Sequence, residues 1–247
     1  MQNHEASILR RARGALITRR AMLAGIAASL TGCMSPASRP DPVTVPGAMR
    51  PDPHLARMYA AMPQERFPIP AVDVTQVDPR YLRQEVSDPT GEEPGTIVVD
   101  TSEKFLYLVR EGGRALRYGV GVGREGLSWS GRALIQMKRE WPRWTPTENM
   151  IGRDPSLARF AGGMEPGLQN PLGARALYLF ENGRDTLYRL HGTNEPWSIG
   201  RAMSSGCIRL FNQDIIDLYE RTPTGTRVFV LDHRSATASA PSVGEVV

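Results

Sequence analysis

From Pro94 onward the chain is a succession of short apolar and β-branched runs broken by turn residues, and one segment alone has a helical period. The runs fall at 96–100, 105–110, 115–122, 133–138, 176–180, 186–191 and 227–231. Gly112-Gly113 and Glu181-Asn182-Gly183-Arg184 mark tight turns between neighbours. Ile215, Ile216, Leu218 and Tyr219 predict a helix over 213–221, capped by Asn212 and stopped by Thr222-Pro223-Thr224-Gly225. Many short strands with one clear helix predict a mainly β domain, a sandwich or open barrel, over 94–232. Residues 141–170 carry prolines, glycines and little periodicity. A stretch of that length inside a domain reads as a lid or binding loop, and Trp141, Trp144, Met150, Phe160 and Met164 give it enough apolar content to pack.

Upstream the composition changes. Residues 34–93 hold 11 of the 20 prolines, which suits an extended, semi-rigid linker with one short helix over 54–61. Residues 233–247 are small and polar and read as a disordered tail. The net charge of +4 has a local origin. Arg10, Arg11, Arg13, Arg19 and Arg20 face Glu5 alone within residues 1–33, and the remainder is formally neutral. The body therefore has no concentrated basic stripe, and nucleic acid is not an expected partner. With 40 % hydrophobic and 23 % charged residues, wholesale disorder and a polytopic membrane protein are also excluded.

Residues 1–33 read as an export signal. Arg19-Arg20 precede a ten-residue apolar run, half of what spans a bilayer as a helix, and the run ends in Leu30-Thr31-Gly32-Cys33. Thr18-Arg19-Arg20-Ala21-Met22-Leu23 resembles a twin-arginine signal, and the stretch ending at Cys33 resembles a bacterial lipobox. Lipidation of Cys33 would hold the protein on the periplasmic side of a membrane. The alternative is an ordinary signal cut near Gly32 with Cys33 incidental.

The chemistry is concentrated between His191 and Arg209. His191 ends a predicted strand, and Cys207 follows the small-residue turn Ser204-Ser205-Gly206. An imidazole beside a thiol can take its proton and stabilise the thiolate. The N–H groups of Gly206 and Cys207 could form an oxyanion hole. Singly, a free cysteine is most often a small buried hydrophobe, and a histidine at a strand end is most often structural. If Cys33 carries lipid, Cys207 has no disulfide partner outside the cytoplasm, which favours a thiol that is used. His54 and His233 lack ligand spacing, so no metal is expected.

The segment resembles the signature of the L,D-transpeptidases with a YkuD-type catalytic domain: His191-Gly192-Thr193, a spacer, then Ser204-Ser205-Gly206-Cys207-Ile208-Arg209, with Asn212-x-Asp214 beyond. Asn170-Pro171-Leu172-Gly173 resembles an element of that family's core. Ser205 stands where many members have a second histidine, and Arg209 where others have asparagine. A branch of Gram-negative members with Ser-Ser-Gly-Cys-Ile-Arg matches better.

The resemblance implies a peptidoglycan-remodelling enzyme without a cofactor. Cys207 would attack the third residue of a stem peptide, a diamino acid, and expel D-alanine. His191 would be the base, with its ring oriented by the carbonyl of Gly192. Arg209 would pair with a substrate carboxylate, joined by Ser205, Trp197 and Asn194 as further substrate contacts. The acceptor would be another stem peptide or an envelope protein's lysine. Water as acceptor would make the same site a hydrolase. A non-enzymatic wall-binding lipoprotein using Trp129, Trp141, Trp144 and Trp197 is the remaining alternative.

Overall fold

A computed structural model describes residues 52–124, 129–204 and 206–231. The leader with Cys33, the first part of the expected linker, Ser205 and the tail 233–247 lie outside the described residues.

Among the described residues there are eleven strands: β1 (Gln84–Ser87), β2 (Ile97–Asp100), β3 (Phe105–Arg110), β4 (Arg114–Gly119), β5 (Val122–Gly123), β6 (Gly131–Glu140), β7 (Arg175–Glu181), β8 (Arg184–His191), β9 (Ala202–Ser204), β10 (Ile208–Arg209) and β11 (Arg227–Val230). Nine form one mixed sheet in the order β1-β4-β3-β2-β11-β6-β7-β8-β10, and β5 pairs with β9. β2 is buried at Ile97, Val98 and Val99 and lies between β3 and β11, so its unbroken apolar run is that of a central strand with both faces covered. β7 and β8 form a hairpin. Asn182 and Gly183 both take positive φ, 50° and 76°, the conformation a two-residue turn needs to match strand twist.

The sheet curls until its ends meet. Gly121, just beyond β4, donates to the Arg209 carbonyl at 2.9 Å and accepts from its N–H at 2.8 Å, joining the second strand of the order to the last. Inside lies one core. It takes Ile97, Leu106, Tyr118, Ile135, Leu177, Leu190, Ile208 and Val228 from the strands, and Ile215 and Leu218 from a helix that packs on them. The expected mainly β fold, between a sandwich and an open barrel, is the one observed.

Two six-residue helices, α1 (Pro53–Met58) and α2 (Glu148–Arg153), accompany the longer α3 (Asn212–Arg221). α3 is the helix read from the apolar period, but its cap is different. Phe211 is the capping position and Asn212 is already helical, with its side chain committed elsewhere. The excursion over 141–170 is folded rather than irregular. It contains α2 and the 3-10 turn Pro155–Phe160, and Trp144 bridges Met164. Asn170, fully buried, ties its ends by donating to the carbonyls of Pro142, Met164 and Glu165.

The expected linker over 34–93 is described from residue 52 on, and that part is not a free spacer. Residues from Asp52 to Glu93 pack on the β domain. Tyr59, Ile69 and Leu82 are 1 %, 3 % and 2 % exposed. The Tyr59 ring sits edge-on to Phe211, and its hydroxyl donates to Asp214 Oδ2 at 2.9 Å and accepts from the Arg83 N–H at 2.6 Å. Arg83 in turn reaches Asp217 at 2.6 Å. Glu65 takes a two-pronged ion pair from Arg175 at 2.8 and 3.0 Å and a hydrogen bond from the Trp141 indole. β1 adds an antiparallel strand to β4. Prolines set the path of this segment, but its scattered apolar side chains bury it.

Candidate active site

β8 and β10 run parallel, with Leu190 opposite Ile208 and His191 opposite Arg209. Residues opposite one another in a parallel pair share a face, and successive residues alternate. Leu190 and Ile208 therefore point into the core, where both are buried. His191 and Arg209 point the other way, and the same register carries Arg189 and Cys207 onto their face. Strand geometry puts the Cα atoms of His191 and Cys207 about 8 Å apart. Sixteen residues of separation in sequence thus become one small polar patch. The hydrogen bond from the Leu210 N–H to the His191 carbonyl, 2.8 Å, fixes that register just beyond Cys207.

His191 is 4 % exposed. Its Nδ1 lies 2.6 Å from the Gly192 carbonyl oxygen. A carbonyl can only accept, so Nδ1 carries the proton and Nε2 keeps its lone pair, the tautomer a base requires. Burial, reinforced by the Arg209 charge, pushes the imidazole pKa down to about 3, against the opposing pull of the Gly192 and Pro171 carbonyls. The ring is therefore neutral at pH 7.

Cys207 is half-buried, and its thiol is 3.8 Å from the Leu187 carbonyl. Leu187 takes a left-handed φ of 64° at a bulge between β7 and β8, which turns that carbonyl towards the sulfur. Burial raises the thiol pKa, while the backbone N–H of Arg189 and the charges of Arg189 and Arg209 oppose the rise. These shifts favour a neutral thiol and a neutral imidazole at rest. Alkylation of Cys207 by iodoacetamide should then keep accelerating beyond pH 8.5, the ordinary cysteine midpoint. A plateau below pH 7 would contradict the neutral thiol.

The two flanking arginines are each held by a carboxylate. Arg189 pairs with Asp185 through two contacts, 2.6 and 2.7 Å, and Arg209 Nη1 pairs with Glu195 at 2.7 Å. Arg209 was expected to meet a substrate carboxylate; here its partner is internal. Gly206 also departs from expectation. Its N–H donates to Ser204 Oγ at 3.2 Å, and Ser204 Oγ donates to the Cys207 carbonyl at 2.6 Å, so the Gly206 amide is turned away from an oxyanion role. Asn194 donates to the Gln169 carbonyl at 3.2 Å and so anchors the base of the excursion. Trp197 is 51 % exposed, with Arg201 5.8 Å from its ring centroid.

Gly192 is the expected orienting residue, and its environment explains the glycine. A Cβ there would lie 2.2 Å from Asn212 Oδ1, and one on Gly173 would lie 2.3 Å from the same atom. Gly192→Ala should therefore displace Asn212 and cost about 2–4 kcal/mol by overpacking and lost hydrogen bonds. A fall in melting temperature of roughly 5–15 °C checks this; an unchanged melt would contradict the packing. The apolar pattern shows neither this wedge nor the Asn170 ties. In sequence Asn212 reads as a helix cap and Asn170 as a polar residue before Pro171; neither position announces the segments its side chain ties.

Residues 94–230 match the family model of the L,D-transpeptidase catalytic domain. The chain is 34 % identical over 151 residues to the probable L,D-transpeptidase YbiS of Escherichia coli K12, covering 59 % of this chain and 47 % of that protein. It is 37 % identical over 145 residues to the probable L,D-transpeptidase ErfK/SrfK of the same organism, covering 55 % and 44 %. It thus matches about half the length of these curated relatives. A solved chain from Brucella melitensis, described as a probable carnitine operon oxidoreductase, is 51 % identical, covering 64 % of this chain and 99 % of that one, with a TM-score of 0.44. Because the family model spans more than half of the sequence, the chain belongs to the YkuD family of L,D-transpeptidase catalytic domains.

Proposed function

We propose that the protein is a cysteine-dependent peptidoglycan L,D-transpeptidase. The observation that supports this reading is the pairing of β8 with β10, which brings the strand that ends in His191 alongside the segment that carries the half-buried Cys207. In the first step Cys207 Sγ bonds to the carbonyl carbon of the stem peptide's diamino acid as its proton passes to His191 Nε2. The bond to D-alanine then breaks, and the proton leaves on the D-alanine amine. In the second step an acceptor amine bonds to the thioester carbon and gives a proton to His191, the carbon–sulfur bond breaks, and the proton returns to sulfur. The negative charge of each tetrahedral intermediate is met by the Cys207 N–H, and the Arg209 charge nearby favours it.

Proton transfer within a neutral pair avoids a permanent ion pair in a poorly solvated site, where separated charges are costly. The acid limb of the pH profile should accordingly lie below the ordinary histidine range. We further propose that the leader exports the chain and that lipid on Cys33 holds it at the membrane, within reach of the wall.

Incubation of the purified protein with disaccharide-tetrapeptides tests the reaction. Release of D-alanine together with dimers joined between diamino acids is the expected product pattern. D-alanine with tripeptide alone would move the acceptor to water, and no D-alanine release would overturn the proposal.

A further inference from the structure

The proposed base works only while the Gly192 carbonyl stays on His191 Nδ1. We propose that Asn212 is the positioning residue that holds this carbonyl and ties the histidine strand to the nucleophile segment, an assignment that rests on the function proposed above. Its Oδ1 accepts from the Ala174 N–H at 2.9 Å, and its Nδ2 donates to the Thr193 carbonyl at 3.0 Å.

Around the catalytic histidine, the polar groups of the backbone are accounted for in turn. The His191 carbonyl accepts from Leu210, the Gly192 N–H donates to Arg175, and the Gly192 carbonyl takes the Nδ1 proton. The Thr193 carbonyl, one peptide further, is taken by Asn212. The Gly192–Thr193 peptide links the last two. A turn about it would swing the Gly192 oxygen off the ring and let the imidazole change tautomer.

Asn212 is placed to prevent that turn. Its side-chain oxygen sits in a slot that exists because Gly173 and Gly192 both lack Cβ atoms. A helix-capping role would be the simplest use of an asparagine at this point in the chain. Phe211 occupies the cap, and both ends of the Asn212 amide reach across to other segments instead. It also lies five residues beyond Cys207, at the start of α3, so one side chain fixes the nucleophile's strand against the base's.

The test is the tautomer, read by nitrogen NMR of the full chain carrying 15N-histidine, with the His191 signals assigned by their loss in His191→Gln. The wild type should show a protonated Nδ1 and an unprotonated Nε2. In Asn212→Ala the two forms should mix, and kcat on disaccharide-tetrapeptide should fall about 10²-fold with KM within about twofold, the loss expected for a misplaced group. A folded Asn212→Ala with the wild-type tautomer overturns the assignment, whatever its kcat. Should the alanine variant not fold, Asn212→Asp keeps the acceptor for Ala174 and loses the donor to Thr193, and the same two readings decide. A wild type with no turnover would count against the proposed function, while its imidazole signals would still decide the role of Asn212.

Discussion

Cys207→Ala should abolish turnover of stem peptides, by at least about 10⁴-fold, while leaving the melting temperature within a few degrees. The size follows from the role: without the thiol no thioester forms, and removal of a covalent nucleophile costs more than removal of any supporting group. The unchanged stability follows from position. Cys207 lies outside the clustered core, and its sulfur makes weak polar contacts with backbone, the Leu187 carbonyl at 3.8 Å and the Arg189 N–H. His191→Gln should fall less, by about 10²–10⁴-fold, because it removes a proton acceptor and leaves the nucleophile. Residual turnover in Cys207→Ala comparable to the wild type would place the chemistry on another residue.

The largest effect on stability should come from removing residues 52–93. A chain that begins at Pro94 contains the whole segment matched by the family model, yet it should not fold cooperatively. Ile69, Leu82 and the Tyr59 ring would be lost from buried positions, each worth about 1.5–3 kcal/mol. Phe211, Ile199, Trp141 and Ile216, which they cover, would meet water. Two buried ionisable groups would also lose partners. Arg175 is 7 % exposed and would lose Glu65; Asp214 is fully buried, its pKa pushed up to about 7 by burial, and would lose Tyr59 and Arg83. Breaking a buried ion pair such as Arg175–Glu65 costs about 3–5 kcal/mol. Together these losses match the whole stability of an ordinary domain, about 5–15 kcal/mol. Urea unfolding of chains beginning at residue 52 and at residue 94 checks this. A cooperative transition at similar urea in the shorter chain would show that the N-terminal segment is only an attachment.

The β8–β10 site was legible because its parts are local. A strand end, a small-residue turn and a helix start are each marked by residue type, and parallel pairing does the rest. The β7–β8 hairpin was legible for the same reason, through Asn182-Gly183. β1 was not: Gln84-Glu85-Val86-Ser87 is a short edge strand with Val86 as its single apolar residue, too little for an apolar alternation to show in sequence. The packing of residues 52–93 was hidden by proline. Proline content predicts an extended path, and says nothing about whether Tyr59, Ile69 and Leu82 along that path meet a complementary surface. The charge state of the site was not legible because it depends on burial. The residue types show that a proton can pass between thiol and imidazole, and desolvation decides that the neutral forms are favoured at rest. Gly206 illustrates the same limit at atomic scale, since the direction of one N–H is decided by the neighbouring Ser204 hydroxyl.

The central claim is that Cys207 carries the acyl group. Intact mass of the protein mixed with a disaccharide-tetrapeptide, followed by peptide mapping, measures it directly. The expected result is an adduct equal to the donor less D-alanine, on the peptide that contains Cys207, and absent from Cys207→Ala. Release of D-alanine with no adduct under conditions that trap thioesters, or an adduct that persists in Cys207→Ala, would contradict it.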